Sequence, residues 1–167
     1  IGALEHDRGA WDAAVIHYRQ ALSLLADVGD RRYEGIFLAN LGVLELELDR
    51  RLDARGHLEL ARDALQEVKD DRLLAITLGN LGILAHLEGD LSAVKSYHTE
   101  ALARLREVGD RRSEALCLGR LGAVNAALDD SLTAIEQIDA AERLLEQIGD
   151  DTARAAASMS RGFIELA

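Results

Sequence analysis

Val28-Gly29-Asp30-Arg31-Arg32 is the stretch that decides how this chain folds, because it keeps coming back. It returns 40 residues later as Val68-Lys69-Asp70-Asp71-Arg72, then as Val108-Gly109-Asp110-Arg111-Arg112, then as Ile148-Gly149-Asp150-Asp151. A second marker keeps the same spacing: Ile1-Gly2, Leu41-Gly42, Leu81-Gly82, Leu121-Gly122 and Arg161-Gly162. A fixed period of roughly 20–50 residues marks a solenoid, in which each unit stacks on its neighbours. Such a fold offers surface for binding more readily than a closed reaction centre.

Each period reads as two helices. In residues 31–70, Ile36, Leu38, Leu41, Leu44 and Leu48 recur at helical spacing and predict a first helix over about 31–48. Asp30 is its expected N-cap, since a carboxylate there can accept the free first-turn N–H groups. The chain then breaks at Asp49-Arg50, with equivalents at Gly89-Asp90, Asp129-Asp130 and, in the first partial unit, Gly9-Ala10. A second helix follows over about 52–68, with Leu52, Leu58, Ala61, Leu65 and Val68 on its inner side. Gly29, Gly109 and Gly149 stand where a helix end needs positive φ. Lys69 breaks that rule and predicts a slightly less stable turn.

Gly2, Gly42, Gly82 and Gly122 fall inside helices, where glycine costs about 1 kcal/mol against alanine. Repeated tolerance of that cost predicts a neighbouring helix too close for a side chain. Ala14, Ala54, Ala134, Ala21, Ala61, Ala101 and Ala141 are the matching small residues on the second helix, so small is expected to face small.

Composition agrees. Of 167 residues, 49% are hydrophobic but only 4% aromatic, and proline is absent, so the core must be aliphatic and helical. Net charge is 19 − 30 = −11, with the acids scattered, which repels phosphate backbones and argues against nucleic-acid binding. Arg31, Arg32, Arg111 and Arg112 recur at one corner, read as solvated first-turn charge. The single cysteine, Cys117, permits no internal disulfide and fits a reducing, cytoplasmic setting. No apolar stretch reaches membrane-spanning length. The chain starts and stops inside helical patterns, as though cut from something longer.

These residues resemble the tetratricopeptide repeat (TPR) family. Leu81-Gly82, Gly89-Asp90, Tyr97/His98 and Ala101-Leu102 follow its signature, as do Trp11, Ala14, Tyr18, Ala21 and Leu22. The family's proline after the second helix is replaced by Gly-Asp, and one of its alanines is Val94. The 40-residue length, Asp110 to Ala115 and Leu78-Gly79-Asn80-Leu81-Gly82 look like the long subclass of Pins-type adaptors and bacterial multidomain regulators, including the maltose-regulon activator type. The Ala-, Leu-, Arg- and Asp-rich composition leans toward a bacterial source. The resemblance implies an all-α, right-handed α-solenoid of antiparallel helix hairpins over residues 1–167. It divides into full repeats at 31–70, 71–110 and 111–150, with partial units at 1–30 and 151–167.

The resemblance also implies a concave groove lined by the first helices. Carried over by position, its residues are Asn40, Asn80 and Arg120, beside rows of Val43, Ile83 and Ala123 and of Leu46, His86 and Ala126. An Asn–Asn–Arg ladder can hydrogen-bond a peptide backbone or clamp a carboxylate, and the apolar rows can hold a peptide's hydrophobic face. The same asparagines could instead cap neighbouring turns, with the apolar rows completing the core. Ala39, Gly79 and Gly119 beside the ladder leave room either for a ligand backbone or for the next repeat. Phe163, Ile164 and Leu166, with Met159, belong to a last helix without a hairpin partner, which predicts dimerisation or docking of a following domain at that end.

Catalytic chemistry finds no foothold. His17 and His57 are one repeat apart, there is no Cys/His cluster, and no metal site or cofactor is expected. His98 and Cys117 read as packed core residues, and the serines and threonines as caps or surface. The expected function is a non-enzymatic protein-interaction scaffold that binds a peptide or helical segment, within a larger signalling or regulatory protein. The alternative is a ligand-responsive sensor domain of a bacterial regulator.

Overall fold

The computed structural model describes residues 2–155 and 157–158, with side chains from Ala10 onward. Among them seven helices follow one another and no strand occurs. They are α1 (Gly2–Val28), α2 (Arg31–Glu47), α3 (Arg51–Glu67), α4 (Asp71–Leu87), α5 (Leu91–Val108), α6 (Arg111–Ala127) and α7 (Ser131–Ile148). Helical backbone resumes at residue 151. The chain forms two compact units, Ile1–Leu84 and Ala85–Ala167.

One turn design serves both kinds of connection. Asp49, Lys69, Gly89, Gly109, Asp129 and Gly149 all take positive φ, between 55° and 77°. The next residue, at 50, 70, 90, 110, 130 and 150, donates its N–H to the carbonyl five residues back, at 2.8–3.1 Å. That bond satisfies a carbonyl the helix end would leave orphaned. The same residue then caps the following helix. Asp30, Asp70, Asp90, Asp110, Asp130 and Asp150 each accept from the N–H three positions on, at 2.9–3.2 Å. Each such cap is worth about 1 kcal/mol. Arg50 occupies the same position and offers no side-chain cap.

Lys69 holds φ 55° where its counterparts 40 residues away, Gly29 and Gly109, hold 73° and 70°. A β-carbon makes that conformation costly, whereas glycine adopts it freely. Lys69→Gly is therefore expected to raise stability by about 0.5–1 kcal/mol. Urea titrations of the two proteins check this; an unchanged midpoint refutes it.

Within the first unit, α2 and α3 pack as an antiparallel hairpin. A β-carbon on Gly42 would lie 2.7 Å from Leu58 Cγ and 3.2 Å from the Ala54 carbonyl oxygen. Near the other end of the pair, one on Gly35 would lie 2.7 Å from Leu65 Cγ. In the second unit, Gly122 of α6 meets Ile138 Cγ1 at 2.7 Å and the Ala134 carbonyl oxygen at 3.1 Å. The close approach expected from the glycines is therefore present at Gly42 and Gly122. Its partners are an aliphatic side chain and an alanine carbonyl rather than alanine methyls alone. Ala54, Leu58, Ala61, Ala134, Ile138 and Ala141 are fully buried beneath it. Two charged clasps close the open ends of these hairpins: Arg32 Nε donates to Asp70 Oδ2 at 2.8 Å, and Arg112 Nε to Asp150 Oδ2 at 3.0 Å. The Ala153 N–H, and after it Arg112, hold the Asp150 carboxyl below its ordinary value.

The break expected at Gly9-Ala10 is not there. α1 runs unbroken through it. Ala10 stands where Asp90 and Asp130 cap their helices; it has no acceptor to start a new helix and is the best helix former.

Candidate functional site

The first helices of the hairpins each turn one face to solvent. On α2 Asn40 is exposed, with Ile36 and Val43 half-buried on either side of it. On α4 the same positions are Ile76, 44% exposed, Asn80, half-buried, and Ile83, 37% exposed. On α6 they are Leu116, 40% exposed, then Arg120 and Ala123, both exposed. The spacing i, i+4, i+7 keeps each trio on one stripe of its helix. No side-chain hydrogen bond of Asn40 or Asn80 is found among the described residues. Each can offer its amide to something else.

Leu46 and His86 fit the stripe less well. Six residues beyond the asparagines, they lie about 120° further round the helix. Leu46 is half-buried and His86 exposed. Sequence reading missed the row of Ile36, Ile76 and Leu116. The signal was available, because these residues sit 40 apart and four before the ladder, but helical spacing placed Ile36 on the inner face and its equivalents were not singled out. Phe163, Ile164 and Leu166 lie outside the described residues.

The basic corner is neutralised internally. Arg32 and Arg112 are engaged in the clasps, and Arg31 bonds Glu34 at 2.7 Å and Glu67 at 2.9 Å. Arg111 lies 3.9 Å from Glu114.

Polar groups are buried at one recurring position. Glu45, fully buried on α2, accepts from His57 Nδ1 of α3 at 2.6 Å and from Arg19 Nη2 of α1 at 3.1 Å. Forty residues on stands Ala85, packed with Val94, Val124 and Tyr97. Forty further stands Asn125, fully buried, whose Nδ2 donates to Gln137 Oε1 at 2.8 Å. Asn125 Oδ1 has no partner among the described residues, a cost of about 1–3 kcal/mol. A carboxylate, a histidine and an arginine in contact have the elements of an acid–base centre. Here the carboxylate is sealed from solvent and both of its partners are spent on it, so the trio ties three helices together.

His98 and Cys117 are core residues, as expected. Burial first, and then the Arg120 charge, push the His98 imidazole down to about 4. Burial pushes the Cys117 thiol up to about 11, against the opposing pull of Arg120 and Arg106. Cys117 Sγ donates to the His98 carbonyl oxygen at 3.1 Å. The thiolate is the reactive form. Native protein at pH 8 is therefore expected to react with a thiol-specific disulfide reagent at least tenfold more slowly than urea-unfolded protein. Equal rates would show that Cys117 is accessible.

Among the described residues, hollows lie within each unit. One of about 390 Å³ between α1 and α2 is apolar, lined by Ala14, His17, Tyr18, Ala21 and Phe37. There the Tyr18 and Phe37 rings meet edge to face at 5.9 Å. Another, about 600 Å³, is lined by Asp139, Glu142, Arg143, Glu146, Asp151 and Arg154 among others. Its Arg154 bonds Asp151 at 3.0 Å, as a solvated charged rim does. Among the described residues no group of three or more His, Cys, Asp or Glu is placed to hold a metal ion. No described helix is long and apolar enough to cross a membrane.

No curated protein matches the chain. Among solved structures it is similar to BtubC (BKLC) from P. vanneervenii, with a TM-score of 0.76 and 24% sequence identity. The likeness covers 84% of this chain and 59% of that one. At that identity it establishes the fold alone, an all-α helical-repeat solenoid. A family model described as Tetratricopeptide repeat matches residues 33–107, and such repeats generally mediate contacts between proteins. Residues 33–107 thus carry the tetratricopeptide-repeat pattern itself, on a helical-repeat fold that extends to both sides of them.

Proposed function

We propose that the whole chain is a tetratricopeptide-repeat array of the long, 40-residue kind and works as a protein-interaction scaffold. It takes an extended or helical segment of another protein on the exposed stripes of the first helices within a unit. The observation that carries this reading is the recurrence, on three helices, of an accessible polar residue flanked by apolar ones: Ile36-Asn40-Val43, Ile76-Asn80-Ile83 and Leu116-Arg120-Ala123. Exposed isoleucines that recur beside a polar residue give a partner apolar surface to cover, and amides without partners are ready donors and acceptors. Asn40 and Asn80 bond the segment's backbone, Arg120 takes a carboxylate, and the apolar rows receive its side chains. Leu46 borders the stripe of α2 and His86 that of α4. The acidic surface favours partners with a basic or neutral segment.

The test compares wild type with the Asn40→Ala, Asn80→Ala, Arg120→Ala triple variant, both immobilised and exposed to lysate of the source organism, with bound proteins identified by mass spectrometry. Circular dichroism and melting are expected to be nearly unchanged, because none of the three side chains is buried. Proteins bound by wild type and lost, by tenfold or more, from the variant support the reading. Identical bound sets refute it and move attention to the ligand-responsive sensor reading.

A further inference from the structure

The outer face of α3 carries an apolar ridge with a gap in it. At about 100° per residue, Ala54, Leu58, Ala61 and Leu65 share the buried side of the helix, and Leu52, Gly56 and Leu60 lie opposite them. Leu52 is 87% exposed and Leu60 55% exposed. Single exposed leucines are ordinary on a protein surface. These two stand one turn to either side of a glycine, on one i±4 ridge.

Packing within the chain does not account for Gly56. A β-carbon on Gly35, Gly42 or Gly122 would strike a neighbour at 2.7 Å, whereas one on Gly56 would meet nothing within 4 Å. Glycine in mid-helix costs about 1 kcal/mol against alanine, and α3 bears that cost over open space. The same register reads Asp12, Ile16 and Gln20 on α1, Ser92, Ser96 and Glu100 on α5, and Leu132, Glu136 and Ala140 on α7. None of these is a leucine ridge notched by glycine. The notch on α3 is also framed by acid. Asp53 lies about 60° to one side of Gly56, and Glu59 and Asp63 lie within about 60° on the other. Arg55 and Arg62 stand further round that second flank, 3.7 Å from Glu59 and 2.9 Å from Asp63. A carboxylate has acceptor positions for more than one cation, so both acids can still receive another.

We propose that this face of α3 docks a basic amphipathic helix of another protein, laid across Gly56. An apolar residue of that helix fills the notch between Leu52 and Leu60, and its lysines or arginines reach Asp53, Glu59 and Asp63. With no side chain at Gly56 the two helix axes can approach to about 8 Å, and interlocking i±4 ridges set a crossing angle near 50°, roughly. The acids select the sign of the partner's charge, and the notch selects its shape. A second copy of this chain is a poor occupant, because pairing the ridge with itself sets Asp53, Glu59 and Asp63 against the same carboxylates. This surface is on the second helix of its hairpin and is separate from the stripes of the first helices.

The probe is a fluorescent helical peptide of leucine, alanine and lysine, about 18 residues long. Its leucines follow i, i+3, i+4 and i+7 spacing around a central alanine, with lysines on both flanks. Anisotropy titrations compare it with the same peptide carrying glutamate for every lysine, and circular dichroism checks that each protein variant is folded. The lysine peptide is expected to bind wild type roughly tenfold more tightly than the glutamate peptide, or better. Gly56→Leu, which fills the notch without loss of stability, should weaken binding by roughly tenfold or more. Asp53→Asn should weaken it about threefold. Ser96→Leu, the same change at the matching position of α5, should leave it within roughly twofold. Absence of saturable binding, equal affinity for the two peptides, or binding untouched by Gly56→Leu overturns the proposal. So does an equal loss in Ser96→Leu, which would take the peptide away from α3. A wild-type dimer in sedimentation that Gly56→Leu dissolves would put a second copy on the ridge and overturn it as well.

Discussion

Gly42→Leu is expected to cost about 3 kcal/mol or more and to open the first unit's hairpin. A β-carbon alone at Gly42 would stand 2.7 Å from Leu58 Cγ, 2.9 Å from its Cδ2 and 3.2 Å from a backbone oxygen of Ala54. Leu58 is fully buried and has nowhere to retreat, and the carbonyl can shift only by moving α3 as a whole. Overpacking of a well-filled core ordinarily costs 1–3 kcal/mol, roughly, and here four heavy atoms must be placed rather than one. Even Gly42→Ala is expected to lose, because the gain of about 1 kcal/mol in helix propensity is smaller than the displacement it forces. Gly56→Leu is the control. It lies on α3 with nothing within 4 Å of its would-be β-carbon, so propensity alone acts and the variant gains slightly. Chemical denaturation followed by circular dichroism checks the pair. Equal midpoints for Gly42→Leu and Gly56→Leu would contradict the packing described for this hairpin.

The second large effect depends on pH. The His98 imidazole is pushed down to about 4, from 6.5, chiefly by burial. Above pH 6.5 the ring is neutral in both folded and unfolded chains and its contribution is fully present. As pH falls from 6.5 toward 4, the unfolded chain takes up the proton first, so stability is lost across that window. Below about 4 both forms are protonated and the loss is complete. The full loss amounts to roughly 2–3 kcal/mol. Leu58 and Ile138 fill the equivalent buried positions, so His98→Leu is a substitution the repeat already tolerates. The variant is expected to keep wild-type stability near neutral pH. Between pH 6.5 and 4.5 it should lose at least 1.5 kcal/mol less, roughly, than wild type. Parallel slopes for the two proteins would remove His98 as the source. The comparison is a difference between variants, so the carboxylates, which titrate in both, cancel.

Much of this architecture is legible in the chain because its determinants are local. Asp30 caps α2 as expected, Gly29, Gly109 and Gly149 take positive φ, and α2 and α3 begin and end within a residue or so of the periodicity's forecast. Turn chemistry and capping are decided by two or three neighbouring residues, which a sequence displays directly. The exception at Gly9-Ala10 arose where the repeat register pointed one way and alanine's helix preference the other. The site is less legible. Accessibility of Asn40 and Arg120 follows from their place on the helix, but whether Ile76 and Leu116 face solvent depends on which flank a neighbour covers, and hydrophobic spacing alone assigns both to the core. Glu45 was invisible for the opposite reason. A charged residue near a helix end looks solvated until its partners, His57 in the next helix and Arg19 in the preceding one, are brought to it.

The turn bonds reach back five residues, and the clasps Arg32–Asp70 and Arg112–Asp150 reach across 38. Ties of so short a reach make the protein behave as a chain of separate buckles. Pulled at its ends, it should yield in successive force drops, each clasp surrendering its own loop of 38 residues, or roughly 125–135 Å of extended chain.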